Sequence, residues 1–257
     1  MPAPARVTLT PWEDTTVVLL AVLLLLIVPG WVGAQDSASR QDPVEDVVPP
    51  RSATAQSTAA SLPDSIPVFP LPDIALLPGA RMPLHIFEPR YREMVADALE
   101  GDRIIGMVML EPGFEEDYEG NPPVHDVGGA GIIESADRLS DGRYNIVLEG
   151  ISKFRILGQN TERSYRVARV EPVAESLTDE ERVRLSRERS RLEEAVREAA
   201  PRVRVPSTLS DEDWVNTVVQ FLPIASADRQ ELVEAKDALA RARRLLEVLG
   251  AVRQAGR

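Results

Sequence analysis

The 257-residue sequence contains no cysteine, two histidines and only two lysines, Lys153 and Lys236. Without cysteine there is no disulfide staple, no thiol nucleophile, no thiolate metal site and no residue to carry a lipoprotein lipid. Two imidazoles, His85 and His125, are too few for a histidine-based metal site unless Glu88 or Asp126 joins them. A hydrogen-bonded structural role is the simpler reading for both, and no metal is expected. The lysine shortage limits Ser-Lys chemistry in the same way, because Lys153 falls in a strand pattern and Lys236 on a charged helix face. No glycine-rich loop ending in Gly-Lys-Ser/Thr occurs, so nothing is shaped to cradle ATP phosphates. Neither a catalytic residue nor a cofactor is therefore expected.

Positive charge is also in deficit: 29 basic residues face 41 acidic ones, a net charge of −12. Nucleic-acid affinity rests on Lys and Arg neutralising phosphates, so no nucleic-acid partner is expected. The arginine-rich stretch from Arg182 to Arg204 does not change this. From Thr178 to Arg204 eight Arg stand against seven acids, the pattern of a salt-bridged helix face. The acidic run Glu111, Glu115, Glu116, Asp117 and Glu119 lacks the alternating Asp/Asn spacing and central Gly of a calcium loop, and reads as a solvated hairpin.

What the chain does have begins with an uninterrupted apolar run of twelve residues, Val17 to Val28, followed by Pro29-Gly30 and the small residues Gly33-Ala34. This reads as a secretory signal over 1–34 with cleavage after Ala34, making the protein exported, periplasmic or secreted. The competing reading is an uncleaved membrane anchor over 17–32, with Arg6 as the one basic flank. Residues 35–65, rich in Ser, Ala, Thr, Pro and acids without periodicity, read as a disordered tether.

The folded part opens with a distinctive run. Prolines 67, 70, 72, 78, 83 and 89 fix φ and remove donors, so short edge-type strands and turns are expected rather than a helix. Pro78-Gly79 supplies a turn. Met82 to Phe87 alternates, and the period then changes at Glu88-Pro89 to a helical stripe of Tyr91, Met94, Val95, Ala98 and Leu99, ended by Gly101. Further strands are expected at 104–110, 131–135, 144–148, 154–157 and 165–173, with turns at 121–123, Asp141-Gly142 and Gly158. Beyond Thr178 the pattern is helical. Thr178 with Glu181 forms a capping signature, Ser210 with Asp213 repeats it, and the last helix opens at Ala225 with a seam of Leu232, Ala235, Leu239, Ala242, Leu246 and Leu249. Folding back within its own bundle is the simpler use of that seam, although it leaves the oligomeric state open.

The run His85-Ile86-Phe87-Glu88-Pro89-Arg90-Tyr91-Arg92, continued by His125 to Gly129, Asp141 to Tyr144 and Gly150 to Ile156, resembles the Lon substrate-binding domain. This is the amino-terminal domain of Lon proteases, which also occurs in free-standing bacterial proteins and in cereblon. The resemblance covers roughly 64–250. It implies an α+β fold: a small PUA-like β-barrel subdomain at 66–175, followed by a C-terminal helical subdomain at 176–257 in the form of a three-helix bundle.

These readings point to a non-catalytic exported module that binds peptide or unfolded protein segments, as an adaptor or holdase. Phe87, Glu88, Arg90 and Tyr91 are the residues offered for such a surface, with Arg90 and Tyr91 presenting a planar charge and an aromatic face. Their structural alternative is Tyr91 on the apolar stripe, with Glu88 and Arg90 pinning strand to helix. The alternatives for the whole chain are a subunit that recruits substrate to a separate protease or hydrolyses through carboxylates near His85, and an assembly factor that tethers partners through its helices.

Overall fold

The computed structural model describes residues 62–114 and 120–255. The leader at 1–34, the tether through 61, and Glu115, Glu116, Asp117 and Glu119 of the acidic run lie outside the described residues. Six strands come first, interrupted by one helix: β1 (Ser65–Leu71), β2 (Arg81–Ile86), α1 (Pro89–Glu100), β3 (Ile104–Met109), β4 (Val127–Arg138), β5 (Tyr144–Asn160) and β6 (Arg166–Val173). Four helices follow, α2 (Asp179–Ala199), α3 (Asp211–Phe221), α4 (Ser226–Glu234) and α5 (Ala238–Ala255). The architecture is mixed α+β.

Strand pairing follows the order β2-β5-β4-β3-β1-β6, and β6 also pairs with β5. The path through β5, β4, β3, β1 and β6 thus returns to its start. Among the described residues only the β1–β3 pair is parallel. The closure depends on β5, whose 17 residues replace two of the expected short strands. Its first half pairs with β2, its second half with β6, and β4 runs along its other edge. Gly158, expected in a turn, instead occupies a register shift opposite Arg169, so the extra residue bends the strand without ending it. Asp141-Gly142 does turn the chain: Gly142 has φ +82° and its N–H donates to Leu139 O at 2.9 Å.

Local signals set the helix boundaries. Pro89 stands in the first turn of α1 after an extended Glu88, and Tyr91, Met94, Val95 and Ala98 are buried as the periodicity requires. Thr178 and Glu181 form the reciprocal capping box of α2, and Ser210 Oγ accepts from Asp213 N–H at α3. The expected last helix is two. Ala235 turns extended (ψ 138°), and the Asp237 carboxylate accepts from Ala240 N–H at 2.8 Å, so the chain is re-capped midway through its seam. The C-terminal region therefore holds four helices where three were expected. Among the described residues no helix is long and apolar enough to cross a membrane.

Helices and sheet are joined through the loop at 73–80. It lies so close to the sheet that a Cβ on Gly129 would stand 1.6 Å from Leu76 O, and one on Gly150 2.1 Å from Leu77 O. Only glycine admits backbone at that range. On the loop's other side Asn216 of α3 donates to Pro78 O (2.9 Å) and Arg229 of α4 pairs with Asp73 (2.9 Å). Leu77 of the loop is buried with Trp214, Val218, Leu232 and Leu239 in the helical core, whereas Leu76 joins Phe69, Tyr91, Met94 and Ile133 in the core under α1.

Candidate functional site

The β2–α1 corner separates the four residues singled out in the sequence. Tyr91 is buried, its ring centroid 4.2 Å from that of Phe69. Arg90 lies over the outer face of that ring, 4.6 Å from its centroid, and its Nε donates to Glu88 Oε2 at 3.0 Å. Glu88 and Arg90 thus lash the helix start to the core aromatic. Phe87 points the other way and is 61% exposed, the most exposed large apolar side chain among the described residues.

Hydrogen bonds link the side chains beside Phe87. His85 stacks near it with centroids 6.3 Å apart. The His85 ring is held at both nitrogens, by Asn145 Oδ1 at Nδ1 (2.7 Å) and Arg143 at Nε2 (3.2 Å). Arginine has no acceptor, so Nε2 accepts and the ring proton resides on Nδ1, where it donates to Asn145. Arg143 in turn clamps Asp141, whose carboxyl is held below its ordinary range chiefly by the Arg143 side-chain hydrogen bond. Arg92 of α1 donates to Asp141 O at 3.2 Å, tying helix to hairpin. The outward edge of β2 offers little backbone to a partner. Pro83 has no N–H, and Arg81 O already accepts from Gln220 of α3 at 2.8 Å. The corner consequently presents side chains more than a pairing edge.

A second set of polar residues is buried where β5 meets the helices, and sequence reasoning passed over it. Lys153, 1% exposed, donates to Glu175 (2.7 Å), Val233 O (3.0 Å) and Ala235 O (2.5 Å). Arg241, fully buried, binds the same Glu175 carboxylate, Asn216 Oδ1 (2.6 Å) and Leu232 O (2.9 Å). Together the two cations take the Leu232, Val233 and Ala235 carbonyls at the end of α4, which satisfies acceptors that a helix terminus leaves without an intrahelical donor. Burial pushes the Lys153 ammonium down from its usual range, and Glu175 opposes that shift. The sequence signal was a lysine between Ser152 and Phe154 in a strand that is buried on both faces.

This cluster is not a Ser-Lys dyad. Ser152 Oγ donates to Lys153 O at 2.8 Å, and strand neighbours point to opposite faces. Nor, among the described residues, does any group of three His, Asp or Glu side chains converge on a metal position.

Comparison with known proteins places this geometry. The model of the ATP-dependent protease La (LON) substrate-binding domain matches residues 65–251. Lon protease 2 of Sorangium cellulosum is 30% identical over 218 residues, covering 78% of this chain, and Lon protease 2 of Myxococcus xanthus is 25% identical over 202 residues, covering 75%. The chain spans about a quarter of these relatives, 26% and 24% of their lengths. Among solved structures, the Lon N-terminal domain protein from Xanthomonas campestris is 25% identical with a TM-score of 0.50, over 71% of this chain and 97% of that one. The N-terminal domain of a Mycobacterium avium complex Lon protease shares the fold, with a TM-score of 0.55 at 20% identity over 72% of this chain and 98% of that one. The matches are to the substrate-binding part of the Lon relatives, and they cover the sheet, the glycine-cradled loop and the helices packed on it: the chain belongs to the Lon substrate-binding domain family.

Proposed function

We propose that the protein is a non-catalytic module that binds peptide or unfolded protein segments, using the corner at Phe87 as its contact surface. The observation that carries this reading is the exposure of Phe87, a large aromatic left in solvent on a scaffold that buries its neighbours Ile86 and Tyr91. Isolated apolar exposure is ordinary, but here the ring stands 6.3 Å from the His85 ring, which is itself hydrogen-bonded at both nitrogens, and such pre-ordering of a neighbour lowers the entropy cost of binding. Family membership supports substrate binding as the activity. An adaptor or holdase role is the form of substrate binding that this reading assigns to the module.

A photo-crosslinking amino acid at position 87 tests this. It is expected to capture unfolded casein and to lose that capture when casein is replaced by a folded protein. Equal labelling from position 183, where Val183 is also exposed at 55%, would refute a specific surface. We place the module outside the cytoplasm, on the leader-like sequence at 1–34. The intact mass of the protein recovered from its native envelope checks this: a species retaining Met1 to Ala34 refutes cleavage.

A further inference from the structure

His85 stands on the contact surface itself, exposed and two positions before Phe87, with the two ring centroids 6.3 Å apart. Nδ1 carries the proton that Asn145 Oδ1 accepts at 2.7 Å, and Nε2 accepts from the Arg143 guanidinium at 3.2 Å. A second proton has only Nε2 to bind, and there it would face an N–H that can itself only donate. Protonation of His85 and the Arg143 hydrogen bond are therefore mutually exclusive. Histidine is also the side chain that ordinarily changes charge between about pH 5 and 8.

The charges around the ring decide what this exchange does to the surface. On the hairpin side Arg143 grips the Asp141 carboxylate through Nε (2.7 Å) and Nη2 (2.6 Å), a compensated pair, and that hydrogen bonding holds the Asp141 carboxyl below its ordinary range, so it stays ionised while an imidazole titrates. Asn145 on β5 is uncharged, and Asp137 of β4 lies beyond it as its cross-strand partner. From α1, Arg92 is turned to Asp141 O, and at the start of that helix Glu88 and Arg90 are paired with each other at 3.0 Å. A proton on Nε2 thus adds one positive charge beside the exposed aromatic and frees the Arg143 Nη1 donor, while Arg143 and Asp141 remain paired. We propose that the His85–Arg143 hydrogen bond is a pH switch on the Phe87 surface: with the imidazole neutral the bond is closed, and with the imidazole charged the surface favours polypeptide segments that carry an acidic residue next to an apolar one. The proposal rests on the substrate-binding reading above and names its regulation.

Fluorescence anisotropy on the full chain tests it, with two short labelled peptides that share a central Leu-Phe pair and differ only in the next residue, Glu or Lys. Between about pH 8 and about pH 5.5 the Glu peptide is expected to bind about fivefold more tightly and the Lys peptide to weaken by a similar factor, the worth of one unit charge at about 4 Å in water. His85→Gln, at an exposed position, keeps an acceptor for Arg143 but takes no proton, and is expected to bind both peptides with the same affinity at both pH values. His125 is unchanged in that variant, so a shift that persists there belongs elsewhere. Long-range proton–nitrogen spectra of the imidazoles provide a readout independent of peptide, and at about pH 8 His85 is expected to show its proton on Nδ1. Peptide affinities that do not change with pH, a shift retained in His85→Gln, or a proton on Nε2 at about pH 8 overturns the switch and leaves substrate binding standing. Failure of both peptides to bind at either pH overturns the substrate-binding reading and the switch with it.

Discussion

Replacing Glu175 with glutamine removes the one carboxylate that Lys153 and Arg241 share. Both cations are buried, 1% and 0% exposed, so neither can turn to water when its counter-ion is lost. Breaking a buried ion pair from one side costs about 3–5 kcal/mol. The Glu175 side chain is 13% exposed and Asp237 remains near Lys153, which argues for the lower end, about 3 kcal/mol. In a domain of this size that corresponds to a fall in Tm of about 6–12 °C. The deficit also carries a pH signature. The Lys153 ammonium binds its proton less tightly folded than unfolded, so stability rises with pH between its folded value and the 10.5 of an unhindered lysine. Loss of Glu175, which acts to hold the proton on, widens that window. The gap between E175Q and wild type is therefore expected to narrow from about pH 7 to about pH 9.5 as Lys153 sheds its charge. Urea melts of both proteins at the two pH values measure it. A deficit below about 1 kcal/mol, or one that grows with pH, refutes the assignment of Glu175 as the buried counter-ion.

Gly129→Ala should unfold the domain or displace the 73–80 loop, because the added methyl meets backbone at 1.6 Å, whereas Gly158→Ala, with Arg169 at 3.9 Å as its nearest atom, should be mild; circular dichroism melts compare them. Burial first, and then the Asp97 hydrogen bond, push the Tyr165 phenol up to about 12. Asp97→Asn should bring its ultraviolet titration midpoint back toward 10, and an unmoved midpoint would count against the 2.6 Å contact. Because that phenol holds its proton more tightly when folded, wild-type stability should fall as pH rises from 10 toward 12. Thr178→Ala deletes the capping box of α2 and should cost about 1 kcal/mol, read as a shift in the urea midpoint with unchanged slope.

Much of the fold was legible because its signals are local. Pro89 after an extended Glu88, Thr178 with Glu181, and Asp141-Gly142 each act within four residues, and each does in the structure what its chemistry requires. The strand pattern misled where local punctuation competes with long-range pairing. Gly158 reads as a break, yet β5 passes through it because β6 supplies partners on its far side. The α4–α5 break was hidden for a similar reason: the seam from Leu232 to Leu249 is continuous as a stripe, while the residues that end α4, Lys153 and Arg241, come from elsewhere in the chain or from the next helix. At the corner, the HIFEPRYR run was a family signal, and periodicity already assigned Tyr91 to the apolar stripe. Only the structure shows Arg90 lying over Tyr91 and Phe87 turned outward.

The loop gripped between Gly129, Gly150 and α3 also constrains the order in which the chain can be completed. Its partners are far away in sequence: Pro78 waits for Asn216, 138 residues later, and Asp73 for Arg229, 156 residues later. A nascent chain therefore lacks the clasp on the 73–80 loop until nearly the last helix has been synthesised, and closing so long a span is slow relative to local helix and hairpin formation. Natural or engineered stops before Arg229 would leave Asp73 without its cation and the packed face of the loop open to solvent. Such truncations are expected to persist as protease-sensitive, partly assembled sheets rather than as smaller stable domains.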